Sequence, residues 1–359
     1  DLFAGYLVGF LFWSGIALGC LGTALLQQVT GGFWGLALRR IAEAGARTMP
    51  LVAAMFVPLL FGLPILYPWA RPEVVAASAT LQQKTPYLNL PVFVVRAALY
   101  FVCWIVLSRV LDRWSVEEDH ASTPAATERL RRLGIAGTIV LGLTVAFAMV
   151  DWAMSLEPDW YSTIYPSMVA TGSLLAAFAF TILVFLRLAP RTDLRPLHVP
   201  RVRNDLGSML LAFLMLWAYQ EYSQYLLIWS GNVQEEIPWY VSRQTGGWGW
   251  AAVALMILGF GLPFLLLIFR EVKRSARWLA AVAALLLAMH LVEVYWLVGP
   301  GPGVGAPFIL WAAAATVGLG AIWLWWFRRQ LATRPLLALH DPRLANLPEL
   351  APEADRAPA

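Results

Sequence analysis

Apolar runs of 18 or more residues recur along this chain, and each is long enough to cross a bilayer core as a single helix. Composition points the same way. Hydrophobic residues make up 60% of the chain and charged residues only 13%, with a mean hydropathy of +0.65. A soluble domain carries about a quarter of its residues as charges. The sequence therefore predicts an all-α polytopic membrane protein built as a helical bundle.

About nine spans are predicted, near residues 3–27, 47–68, 90–111, 133–154, 163–187, 206–230, 248–270, 277–298 and 305–327. Proline and glycine punctuate their ends, as in "LAPRTDLRPLHVP" and "VGPGPGVGAP". The connecting segments alternate in charge. "LRRIAEAGAR", "DRWSVEEDHASTPAATERLRR", "RLAPRTDLRPLHVPRVR", "REVKRSAR" and the tail from "FRRQ" are rich in Arg and Lys, and the others are not. The positive-inside rule makes the basic segments cytoplasmic, with Asp1 outside and the C-terminus inside a bacterial inner membrane. Residues 1–330 form the predicted transmembrane domain and 331–359 a cytoplasmic tail, whose Pro- and Ala-rich end is expected to be disordered. The chain opens at Asp1 on the edge of an apolar run with no basic leader before it, so a preceding segment, up to a whole helix, is expected.

The net charge of +4 reflects Arg in these segments and carries no implication of nucleic acid. Cys20 and Cys103 both lie in apolar runs, and neither CxxC nor CxxCH occurs. Of His120, His198, His290 and His340, only His290 falls in a predicted span. A haem held by two histidines within the bilayer is therefore not expected, and no metal or redox cofactor of the chain's own is predicted.

Ionisable groups at membrane depth are costly and mark function by default. Arg96, Glu221, His290 and Glu293 fall roughly 7–14 Å below the outer surface at 1.5 Å rise per residue. Asp151 ends the fourth span. His290 and Glu293 are i,i+3, as are Glu221 and Gln224, so each pair shares a helix face. The expectation is one outer-side cavity in which Arg96 meets Glu221 or Glu293. Helix–helix pairs that only fix packing are the alternative. The inner half reads as poor in such groups, with Glu43, Arg47 and Asp205 near the span ends. Between the fourth and fifth spans lies "DWAMSLEPDWYSTIYPS". Its Trp152, Trp160 and Tyr161, with Trp69, Trp229, Trp239, Tyr240 and Trp248, read as interface anchors. Its Glu157 and Asp159 are expected to face outer water as a rim for proton exit.

"DWAMSLEPDWYSTIY", "LWAYQEYSQYLLIWSGNVQEEIPWY" and "HLVEVYWLV", with "LYPWARPE" and "PYLNLPVFVVRAALYF", resemble the ActF-like membrane subunits of alternative complex III, in the wider NrfD or polysulfide-reductase-like group. The resemblance runs over nearly the whole chain. It implies ten spans and a subunit of a quinol:electron-acceptor oxidoreductase that passes electrons to cytochrome c or a similar acceptor. Haem and iron–sulfur clusters would belong to partner subunits. Those partners are an NrfD-like quinol-binding subunit, an iron–sulfur or molybdopterin-like subunit and multihaem cytochromes c, together with lipids and a terminal oxidase. The ActF-like subunit itself is implied to support proton transfer, with quinone or quinol as the ligand it admits. Carried onto this sequence, the candidates are Arg96, Asp151, Glu157, Glu221, His290 and Glu293, with Gln224 added from its spacing. The chain departs from the family at Asp159, where relatives carry His.

Two other classes stay open. A secondary transporter for a small solute or ion is compatible with buried charge in many spans, although such sites favour interrupted helices at the midplane. A structural scaffold is compatible with the many Trp and small residues available for helix packing.

Overall fold

The computed structural model describes residues 1–120, 123–234, 236–300, 305, 307–338, 341 and 344. The Pro- and Ala-rich end expected to be disordered lies outside the described residues, as does most of the "GPGPGVGAP" connection.

Eleven helices carry the architecture: α1 (Leu2–Thr30), α2 (Phe33–Ala46), α3 (Met49–Phe61), α4 (Leu90–His120), α5 (Pro124–Trp152), α6 (Tyr165–Leu188), α7 (Pro200–Gly231), α8 (Ile237–Gln244), α9 (Trp248–Ile268), α10 (Ala276–Val298) and α11 (Phe308–Leu331). Among the described residues, seven are long and apolar enough to cross a membrane, or eight if the bent pair α2–α3 counts as one span. The chain is thus a polytopic helical membrane protein. The predicted span at 206–230 is a helix too, but α7 falls outside that set because Gln220, Glu221 and Gln224 interrupt its apolar run.

Local chemistry sets several helix starts. Thr123 accepts from the Ala126 amide ahead of Pro124, and Ser275 accepts from the Trp278 amide. Asn232, at φ 50°, ends α7 in the left-handed conformation that Asn tolerates. Gly246 and Gly247, both at positive φ, form the turn before α9.

α1 is the centre of the bundle. Its apolar window is 89% buried, against 22% for α9, which faces outward. It packs on α11, α6, α2 and α5. Small residues permit the approach: a Cβ on Gly9 would lie 2.9 Å from the backbone of Ala315 on α11, and one on Gly19 would lie 2.5 Å from Ala177 Cβ on α6.

Two expectations need correction. "LRRIAEAGAR" is no surface connection: it lies in α2, a helix buried over nearly all its length and bent 42° from α3. Its arginines are tolerated there because each is paired, as described below. Several tryptophans read as interface anchors are core residues instead. Trp152 is fully buried among Phe10, Phe56, Phe101 and Trp104, and Trp160 stacks on Trp239 with ring centres 4.5 Å apart. An indole has enough apolar area to serve either purpose, and local sequence does not separate the two. Tyr161 and Trp229 are exposed.

Candidate functional site

The expected single outer cavity is three adjoining clusters. In the first, Arg96 on α4 meets Asp151 at the end of α5, and neither Glu221 nor Glu293. Arg96 Nε donates to Asp151 Oδ2 at 2.8 Å and Nη2 donates to Oδ1 at 2.9 Å. Tyr100 Oη donates to Oδ2 at 2.9 Å, and Arg96 Nη1 donates to the Tyr87 carbonyl at 2.8 Å. The guanidinium lies 3.8 Å from the Tyr87 ring centre. Burial, then the Asp151 carboxylate, push the Tyr87 phenol up to about 12. The geometry is bidentate and dry, with Asp151 wholly buried. An acid held this way is committed to its partner.

The second cluster joins α10 and α7. His290 Nδ1 and Glu293 Oε2 are 2.8 Å apart, as their i,i+3 spacing allows. Trp217 Nε1, from α7, donates to Glu293 Oε1 at 2.8 Å. The Glu221 carboxyl interacts directly with that of Glu293, while its Oε1 is sealed from solvent without a hydrogen-bond partner. His290 Nε2 is also buried and unpartnered. Gly172 on α6 makes room for the acid: a Cβ there would stand 2.9 Å from Glu293 Oε2 and 3.0 Å from Oε1. A small cavity opens beside this group, lined by His290, Glu293, Trp217, Leu255, Gly259 and Met289. Leu255 and Gly259 belong to a π-helical turn, Leu255–Gly261, inside α9. Such turns widen a helix locally and recur at functional sites.

The third cluster caps the second. Glu157 is not free at the rim: its Oε1 accepts from Arg243 Nη2 at 2.7 Å. Arg243 also donates to the carbonyls of Leu297 and Trp239, at 2.8 and 3.0 Å, and lies 3.7 Å from the Trp239 ring centre. Tyr165 meets the rings of Trp160 and Trp239 edge-on beside this cap. Asp159 is exposed, as expected. Gln224 is buried and accepts from the Ser162 hydroxyl. The sequence reading missed Arg243. Its signal was an isolated cation in an otherwise base-poor connection, one helical turn from Trp239.

Beside the first cluster lies a cavity of about 420 Å³. Lys84, Tyr87, Met154, Ser155, Trp160 and Tyr161 are among its walls. Lys84 Nζ donates to the Pro158 carbonyl at 2.5 Å and approaches the Tyr161 ring.

The tail side is richer in charge than expected. Arg39 on α2 donates from Nε to Glu43 at 3.1 Å, from Nη2 to Glu118 at 2.7 Å and to Ser115 at 3.0 Å, and from Nη1 to Asp341 at 2.9 Å. Arg40 bonds Glu43, Ser115 and Asp119. The i,i+4 and i,i+3 spacing of Arg39 and Arg40 with Glu43 was the available clue. No protein-family model and no curated protein matches this chain.

Proposed function

We propose that the chain is an integral subunit of a quinol:electron-acceptor oxidoreductase of the alternative complex III type, in which the outer-side acids accept and pass on protons released by quinol. Electrons would leave through haem and iron–sulfur partner subunits. The tail would face the cytoplasm of a bacterial inner membrane.

One observation carries the reading: the buried His290 and Glu293 and the partly buried Glu221 form an acid–base group with two unpartnered polar atoms. Two carboxyls in contact at low dielectric repel unless a proton is shared between them. An imidazole bonded to one of them offers a second protonation site. Oxidation of one quinol releases two protons with two electrons, so a group able to hold more than one proton suits the chemistry. The 420 Å³ cavity has aromatic walls and one cation, a lining suited to a quinol ring. Arg243 and Glu157 stand where protons would leave for outer water.

The test is purification of the tagged chain from its native membrane, followed by assay of Glu293→Gln and His290→Ala. Haem-bearing partners should co-purify, and quinol-dependent proton release should fall about tenfold with assembly intact. Absence of such partners sinks the reading, and unchanged proton release in an intact assembly favours a scaffold.

The bent α2–α3 pair and the π-helical turn in α9 favour a second reading, a secondary transporter, because interrupted helices build such sites. Gradient-dependent solute uptake by the chain alone in proteoliposomes would support it.

A further inference from the structure

Two basic segments far apart in sequence meet at the end of the bundle where α6 and α9 finish and α7 and α10 begin. Arg203, in the first turn of α7, is the joint. Its Nε donates to the Arg274 carbonyl at 2.6 Å, and its Nη1 donates to the His198 carbonyl at 2.8 Å. Lys273 Nζ donates to Ser208 Oγ at 3.2 Å. The Lys273 stem lies against α7, where a Cβ on Gly207 would stand 2.7 Å from its Cγ. The α6–α7 connection is thereby sewn to the short helix Arg270–Arg274 between α9 and α10.

This seam concentrates positive charge. Residues 187–205 hold five arginines and two acids, and residues 270–277 hold four cations and one acid. Within the two segments, nine cations stand against three acids. Arg191, Arg195, Arg270, Arg274 and Arg277 are all exposed. Exposed arginines on α4 and α5 differ, because each has a carboxylate of its own: Arg113 pairs with Glu117, and Arg131 and Arg132 pair with Glu128. Like charges gathered at the seam repel one another, so an anion supplied from outside lowers its energy. The guanidinium fork suits a phosphate best.

The level of the seam says which phosphate. Ile268 ends the apolar span of α9, Phe269 follows it, and Trp278 stands just beyond Arg277. All three side chains are exposed. Arginines at the end of an apolar span, bracketed by exposed rings, match a lipid at the membrane boundary. A free phosphate or an acidic peptide would use the charge and leave the rings bare. We propose that this seam binds an anionic phospholipid, with its phosphate on Arg270, Arg274 and Arg277 and its acyl chains along Phe269 and Trp278. Such a site needs only the membrane-spanning architecture and is independent of the quinol reading.

Native mass spectrometry of the detergent-solubilised full chain tests this, with phosphatidylglycerol and phosphatidylcholine as probes. The parent protein should retain phosphatidylglycerol about tenfold more tightly than phosphatidylcholine. A triple variant, Arg270→Gln with Arg274→Gln and Arg277→Gln, keeps the backbone carbonyl that Arg203 needs and should bring the two lipids to within about twofold. A control triple, Arg113→Gln with Arg131→Gln and Arg132→Gln, removes the same charge from paired arginines and should keep the parental preference. Equal retention of the two lipids by the parent protein overturns the proposal, whatever the variants do. So does a preference that survives the seam variant, or one lost equally in both triples, which would be a general effect of charge. Displacement of phosphatidylglycerol by inorganic phosphate would mark a free-anion site and overturns it as well.

Discussion

Arg96 grips both carboxylate oxygens of Asp151 from the neighbouring helix, and the Tyr100 hydroxyl completes the grip on Oδ2. A buried acid so fully engaged is a structural joint between α4 and α5. Asp151→Ala leaves the Arg96 charge without its partner and should cost about 3 kcal/mol. Arg96→Lys should recover little, because a point charge cannot reproduce the fork. Thermal unfolding in detergent checks both, and a Lys variant as stable as the parent would refute the joint.

Gly172 provides a way to disturb Glu293 without altering any acid. The added methyl of Gly172→Ala would enter the space of both carboxylate oxygens and turn the group away from His290 and Trp217. Under the proposed function, quinol-linked proton release should then fall several-fold, in the same direction as in Glu293→Gln. The Ser173 hydroxyl, at the adjacent position, donates to the Val169 carbonyl, and Ser173→Ala should leave the rate near its parental value.

Removing the Arg243 side chain should loosen the cap over the His290 and Glu293 pair. Arg243→Ala strips a partner from Glu157 and from the Leu297 and Trp239 carbonyls, so Trp239 and Trp160 should become wetter. Tryptophan emission should shift to the red, and unfolding should come at a lower temperature. Unchanged emission would mean that the aromatic stack holds the cap by itself.

Close packing of α1 on α6 predicts a severe effect at Gly19. A leucine there must displace the Ser173 carbonyl and Ala177, which are backbone or short, stiff groups. Loss of more than about 3 kcal/mol or failure to accumulate in the membrane is expected, whereas Gly142→Leu, with open space around it, should be tolerated.

His198 adds a pH dependence outside the spans. Burial, then the nearby Arg203, hold its imidazole below the ordinary 6.5. The fold therefore prefers it neutral. Below pH 6.5 the unfolded chain takes up the proton first, so this part of the stability is lost as pH falls from 6.5 toward the depressed value. Melting temperatures measured at about pH 7.5 and 5.5 should converge in His198→Gln, and an unaltered pH slope would assign the effect elsewhere.

Much of this organisation is legible in residue order. Apolar runs mark the helices, and the i,i+3 spacing of His290 and Glu293 correctly places them on one face in contact. Pairings between helices are not legible in the same way. Arg96 could have met any acid at its depth, and only the approach of α4 to α5 selects Asp151. The same limit hid the α2 cluster: arginines that read as a cytoplasmic connection become buried once Glu43, Ser115 and Glu118 are folded around them. Trp152 and Trp160 sit where interface residues belong in sequence, yet the turn after α5 folds them inward.

The burial of α1 has a consequence for assembly. The helix most enclosed by the bundle precedes its covering helices in the chain, and its glycine faces are matched by α6 and by α11, the last of the eleven helices among the described residues. During synthesis the face that α11 covers must wait against lipid or an insertion factor for some three hundred residues of chain. Contacts so distant in sequence close late. A chain halted before α11 would leave the Gly5 and Gly9 surface bare, a mark by which membrane quality control can tell an unfinished chain from a finished one.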